Sequence, residues 1–178
     1  MRFTTQTEGA GFLKVGGRFH VMILSAEEEE TSVVVEAEIL AGTVPKQEKK
    51  TVKIFLNYPD ESHSDGGSFA SEIIQHFCKA TGLMAADTPV GTDVEIDFSQ
   101  AIGRQAIVAI LAPDADSKYA RLNGSDIWPV DAAEVEDVPK NKGAIALLNQ
   151  TPATPPATQE ATQQQPATQA EQSGYDDL

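Results

Sequence analysis

A two-residue period, repeated in three successive segments, narrows the possible folds of this chain more than any other feature. Between Thr31 and Ala41, Val33, Val35, Ala37 and Ile39 fall on one side, and Val34, Glu36, Glu38 and Leu40 on the other. Such alternation marks a strand with one buried and one wetter face, and β-branched side chains suit that pleated surface. Phe12 to Ala26 shows the same period, with Phe19, Val21 and Ile23 opposite His20, Met22 and Leu24. So does Lys49 to Tyr58, with Val52, Ile54 and Leu56 inward and Thr51, Lys53, Phe55 and Asn57 outward. The anionic turn Glu27 to Glu30 joins the first two segments as an antiparallel hairpin.

The pattern then changes. Ser68 is placed to cap a helix running to Thr81, with Phe69, Ile73 and Phe77 at four-residue spacing, Ile74 and Cys78 beside them, and Gly82 as the stop. Thr92 to Phe98 reads as a fourth strand, with Val94, Ile96 and Phe98 against Asp93, Glu95 and Asp97. Arg104 to Ala112 reads as a fifth, more apolar and central. Lys118 to Val130 suggests a hairpin-like extension around Asn123-Gly124, and Asn141 to Asn149 a short final segment. Trp128, the only tryptophan, is expected to pack. Three strands, a helix and two strands is the order of a five-stranded oligonucleotide-binding (OB-fold-type) barrel whose helix, between strands 3 and 4, plugs one end. Other small α+β folds share that string. The fold class expected is therefore mainly β (α+β), an OB-fold-type barrel followed by a disordered tail.

The tail begins near residue 149. From Thr151 to Gln172 the chain is Thr, Pro, Ala and Gln with almost no charge or apolar bulk, and it ends in Ser173-Gly174-Tyr175-Asp176-Asp177-Leu178. Such a tract cannot bury enough apolar surface to offset the entropy of ordering, and a tether of this kind keeps its tip at high effective concentration near the domain. The expected organisation is a mobile N-terminus (1–11), a binding domain (12–148), a disordered linker (149–172) and an acidic interaction tip (173–178).

Charge sets a restriction. The formal net charge is −14. The only charged residues beyond residue 149 are Glu160, Glu171, Asp176 and Asp177, so ten of those units belong to the preceding body. A molecule of this sign repels polyanions at long range, and nucleic-acid binding requires a local basic groove that outweighs the global field. A single cysteine, Cys78, on the apolar side of the helix, rules out an intrachain disulfide and a cysteine-rich zinc site. With no apolar leader or membrane-length stretch, the expected location is the cytoplasm.

Little points to catalysis. Gly9-Ala10-Gly11 lacks the third glycine and preceding strand of a phosphate-binding turn, and there is no Gly-Lys-Ser/Thr element. His20, His63 and His76 are scattered over a strand, a loop and a helix, and Asp60, Glu61 and Asp65 lack calcium-loop spacing. No enzyme activity, cofactor or metal is expected.

The few cations are grouped. Lys46, Lys49, Lys50 and Lys53 occupy one loop and the strand it enters, Lys14 and Arg18 lie at the first strand, Arg104 at the fifth, and Lys118 and Arg121 flank Tyr119. Lys53 with Phe55, Tyr58 and Tyr119 would offer the two elements of single-strand binding, charge that follows a backbone and flat rings on which bases stack. The competing reading makes Phe55 a core residue and the lysines a solubilising edge that blocks strand addition.

With its tail, the chain resembles the single-stranded-DNA-binding proteins of bacteria and their phages: a strand-rich domain with one helix after strand three, a Pro/Gln-rich linker and an acidic tip with an apolar end. Phe19 to Leu40, and Thr51 to Leu83 with its Phe-Leu-Asn-Tyr-Pro and Phe-Cys-Lys-Ala-Thr-Gly stretches, are also similar to a phage-encoded family of unassigned function found near recombination genes. The first resemblance implies that Asp176, Asp177 and the terminal carboxylate meet basic groups on replication or recombination proteins while Leu178 fills a pocket and Tyr175 packs nearby. This tip departs from that family in its two aspartates and its terminal Leu in place of Pro-Phe. The resemblance further implies a phage or prophage protein that protects unpaired DNA without sequence preference and has a tail that competes for the groove until DNA displaces it; a homo-oligomer is compatible with it, and the sequence leaves the oligomeric state open. The alternative from a different class is an acidic DNA mimic, or interaction module, acting on a host nuclease or restriction system.

Overall fold

A computed structural model describes residues 11–150, the last two by their backbone alone. Five strands, β1 (Gly17–Glu28), β2 (Ser32–Gly42), β3 (Thr51–Asn57), β4 (Gln105–Leu111) and β5 (Arg121–Trp128), form one antiparallel sheet in the order β3-β2-β1-β4-β5. Two bulges in the β1–β2 ladder, one at Leu40 of β2 opposite His20/Val21 and one at Leu24 of β1 between Ile23 and Ser25, add local twist, and the sheet curls into a half-barrel. Its end strands, β3 and β5, approach each other without pairing. Helix α1 (Ser68–Ala80) lies between β3 and β4 in the chain, and α2 (Lys142–Gln150) follows β5. Among the described residues no helix is long and apolar enough to cross a membrane.

The two-residue periods decide the concave core. Val33, Val35, Ala37 and Ile39 of β2, Val52, Ile54 and Leu56 of β3, and Phe19, Val21 and Ile23 of β1 are all buried, and α1 closes over them with Phe77 and Cys78. Burying each large side chain contributes about 1.5–3 kcal/mol relative to exposure. Phe77 meets Phe98 in a tilted ring pair with centroids 6.4 Å apart. Phe19 sits opposite Gly42 across β1 and β2, and its ring lies where a side chain at Gly42 would have to go.

The convex face is covered too, over β1, β4 and β5. Residues 129–141 form a strap that buries Val135 and Val138 against Ile107, with Trp128 and Ala132 packed beside them. Arg18 holds the strap through Asp137 at 2.5 Å and the Glu134 carbonyl at 3.4 Å, while Lys140 Nζ donates to the carbonyls of Val135 at 2.7 Å and Val138 at 3.2 Å. Buried on both faces up to Ile110, β4 reads as a continuous apolar run after Gln105.

Several expectations are corrected. Thr92 to Phe98 is not a strand. Residues 92–97 join no ladder, and the free edge of β1 is taken by β4. Asp97 instead accepts from the backbone N–H and hydroxyl of Ser99 and starts a 3-10 turn at Phe98–Ala101, so Phe98 becomes a core residue by a different route. The fifth strand comes from Arg121–Trp128, where an extension was expected. The Asn123-Gly124 signal is satisfied within that strand: the ladder passes from Val108↔Ile127 to Ile110↔Leu122, leaving 123–126 as an excursion closed by an Asn123 to Asp126 bond at 2.8 Å. Ser68 begins α1 but does not cap it. Gly67, at φ 79°, is the cap residue, and the Asp65 carboxylate accepts from the N–H of Gly67 at 2.9 Å and Phe69 at 3.0 Å. Phe69 extends past the core and is 51 % exposed. The short final segment is α2, which runs to Gln150. The expectations for residues 1–10, for the linker beyond residue 150 and for the tip Tyr175, Asp176, Asp177 and Leu178 lie outside the described residues.

Candidate nucleic-acid interface

The seam between β3 and β5 is the most suggestive surface of the domain. Gly11 to Leu13 docks along β3: Leu13 N–H donates to the Thr51 carbonyl at 2.8 Å, and Thr51 N–H to the Gly11 carbonyl at 3.0 Å. Both backbone groups of Thr51 are thereby occupied on the side that would otherwise face β5. A cleft of about 760 Å³ lies along this seam, lined by Phe12 to Lys14, by Thr51, Val52, Lys53 and Phe55 of the β3 side, and by Ser117 to Arg121.

Three rings converge there. Phe12 is 51 %, Phe55 56 % and Tyr119 60 % exposed, so Phe55 is not a core residue. Strand alternation explains Phe55: with Val52, Ile54 and Leu56 turned inward, Thr51, Lys53 and Phe55 must point away. Leu13 does the same for Phe12 by burying itself in the core at 2 % exposure. Tyr119 is held at the end of the β4–β5 loop, where Ser117 Oγ donates to its carbonyl at 3.1 Å, and Lys118 Nζ stands 5.2 Å from its ring centroid.

Four cations share the cleft: Lys14, Lys53, Lys118 and Arg121. In a chain with 27 Asp and Glu against 13 Lys and Arg, none of the residues lining this cleft is a carboxylate. Acids stand at the rim. Glu36 is opposite Lys53 in the β2–β3 ladder, and Asp114 pairs with Arg121 at 2.6 Å. That pairing, with the N–H groups of Ser117 and Asp116, holds the Asp114 carboxyl below its usual range and raises Arg121. The arrangement is a partly apolar trough with cations at its walls, chemistry suited to a ligand carrying flat rings and negative charge.

Of the residues singled out from the sequence, Lys14, Lys53, Phe55, Lys118, Tyr119 and Arg121 meet in the cleft. The others stand elsewhere. Arg18 anchors the strap. Arg104, in the turn before β4, donates to the carbonyls of Gln100 at 3.1 Å and Thr81 at 3.2 Å, tying the end of α1 to the sheet. Tyr58 packs against the core. Lys46 and Lys49 occupy left-handed positions in the β2–β3 loop, at φ 64° and 69°, and Lys50 Nζ donates to Gln47 at 2.7 Å. Phe12 is not marked as a site residue by the sequence, because it follows the polar, Gly-rich residues 1–11 and opens a segment whose two-residue period reads as a strand. Its signal is the isolated Phe-Leu-Lys triplet after Gly11.

Burial alone pushes the Cys78 thiol up to about 11, which suits a core residue and not a nucleophile. Among the described residues no group of three or more His, Cys, Asp or Glu is placed to hold a metal ion. Compared with known proteins, the chain matches no family model and no curated sequence.

Proposed function

We propose that this protein binds unpaired DNA strands in the β3–β5 cleft, by stacking bases on exposed rings and meeting phosphates with the four surrounding cations. The single observation that carries the reading is the convergence of Phe12, Phe55 and Tyr119, each at least half exposed, with Lys14, Lys53, Lys118 and Arg121 in a trough without a lining carboxylate. Stacking of a base on an aromatic ring is worth about 1–3 kcal/mol and tolerates any sequence. The half-barrel is read as an oligonucleotide-binding-type barrel with an open seam, a reading supported by strand order, by α1 between β3 and β4, and by the near approach of β3 to β5. In this reading the protein covers single strands during phage replication or recombination, and its acidic tip, Tyr175 to Leu178, brings other proteins to them.

The body's negative charge favours a second reading, an acidic protein that occupies a DNA-processing enzyme. Fluorescence polarisation of a labelled oligothymidylate separates the two. Binding at low salt that weakens as salt rises supports the cleft, since neutralised phosphates release counterions. No binding at low salt leaves the mimic standing.

A further inference from the structure

Arg121 enters the cleft from the start of β5 with its donors only partly used. Its Nη2 donates to Asp114 Oδ2 at 2.6 Å, whereas Nη1 is buried with no hydrogen-bond partner. Asp114 is fully committed: Oδ1 accepts from the N–H groups of Asp116 and Ser117, each at 2.9 Å, so the carboxylate is fixed to its own loop. A guanidinium is a planar fork that pairs best with two oxygens at once. Here one carboxylate oxygen serves it, and the side chains remain 40 % and 46 % exposed. A phosphodiester offers two oxygens in the geometry that such a fork matches.

We propose that Asp114 is a stand-in for a phosphodiester on Arg121, displaced when a strand enters the cleft. The inference rests on the strand-binding reading and adds to it a gate at one phosphate position. On binding, Arg121 turns its fork to the phosphate while Asp114 keeps its backbone bonds, so the loop need not unfold. The carboxylate meanwhile excludes weakly held anions from the most strongly donating group of the cleft.

The test uses the full chain and labelled oligothymidylate at low salt. Asp114→Asn keeps an oxygen for the two backbone donors and removes the charge that holds Arg121, and should tighten binding about tenfold, the scale of one charge-assisted bond. Asp116→Asn removes the same charge two residues away, from a carboxylate that acts on Arg121 through space where Asp114 pairs with it directly, and should change affinity by about twofold or less, as expected of a screened charge. The gain from Asp114→Asn should vanish in an Arg121→Ala background. Arg121→Lys, which keeps the charge and loses the fork, should bind several-fold more weakly than the unaltered protein and reports even if the loop relaxes in Asp114→Asn. Equal effects of Asp114→Asn and Asp116→Asn, or a gain that survives loss of Arg121, would overturn the gate and leave strand binding intact. An unaltered protein that fails to bind would overturn both.

Discussion

His20 Nε2 donates to Gln105 Oε1 at 2.8 Å, joining β1 to β4 beneath the strap. The donor sense follows from the other ring nitrogen, since Asn141 N–H donates to Nδ1 at 3.0 Å and that nitrogen must therefore be unprotonated. Gln105 in turn donates from Nε2 to the Ala144 carbonyl at 2.9 Å, so one continuous chain of bonds ties β1, β4 and the start of α2 together. His20 has no exposed surface, and every polar atom of its ring is used.

That chain predicts a pH dependence of stability. Burial, with a smaller contribution from Lys140, lowers the His20 pKa below 6.5 against the opposing bond to Gln105. A lowered pKa in the folded state means that the unfolded chain binds the proton more tightly. The stability it contributes is complete above the unfolded value near 6.5 and declines as pH falls from there towards the folded value. Urea unfolding between pH 5 and 8 should show a decline of at most about 1.4 kcal/mol per pH unit from this group. His20→Gln should lower stability at pH 8 and flatten the slope. An unchanged slope in that variant would place the titration elsewhere.

Removal of single rings should weaken oligothymidylate binding without unfolding the domain. Phe55→Ala, Tyr119→Ala and Phe12→Ala are each expected to cost about 1–3 kcal/mol of binding, the value of one stacked base. Phe69 is as exposed as Phe12 but lies on α1, outside the residues lining the cleft, so Phe69→Ala should leave affinity unchanged. Equal losses from all four would point to a general effect on the fold.

Salt dependence should report the cations. With up to four phosphates neutralised, the plot of log affinity against log salt is expected to have a slope of about −2 to −3 for a single strand. Lys53→Ala should make the slope shallower by about 0.7, whereas Arg18→Ala should lower stability through the strap and leave the slope as it was.

Gly42→Ala tests the core. A methyl group there would overlap the Phe19 ring and lie 2.8 Å from the Arg18 carbonyl. Relief requires moving a fully buried aromatic side chain, and overpacking of this kind costs about 1–3 kcal/mol. Thermal unfolding monitored by circular dichroism would measure it.

Cys78 should be inert in the folded protein. With the thiol raised to about 11 and the side chain buried, a thiol reagent at neutral pH should react only at the rate of unfolding. Fast labelling of the native protein would contradict its place in the core.

The local periods of this chain were sufficient for β2, β3, most of β1 and α1, because a two-residue or four-residue repeat of apolar side chains has only one way to turn a continuous face towards a core. They were sufficient as well for the outward direction of Lys53 and Phe55, which follows once Val52 and Ile54 are inside. Long-range pairing decided the rest. Thr92 to Asp97 alternates as well as a strand does, yet β4 had already taken the edge it needed, while Arg121–Trp128 pairs despite its Asn-Gly break because α1 holds the excursion, through His76 to the Ser125 carbonyl at 2.8 Å and Ser125 to Glu72 at 3.0 Å. The assembly of the cleft belongs to this second category. Phe12, Phe55 and Tyr119 are distant in the chain, and only the curl of the sheet and the docking of Gly11 to Leu13 along β3 set their rings on one seam, a consequence of closure geometry that no local pattern encodes.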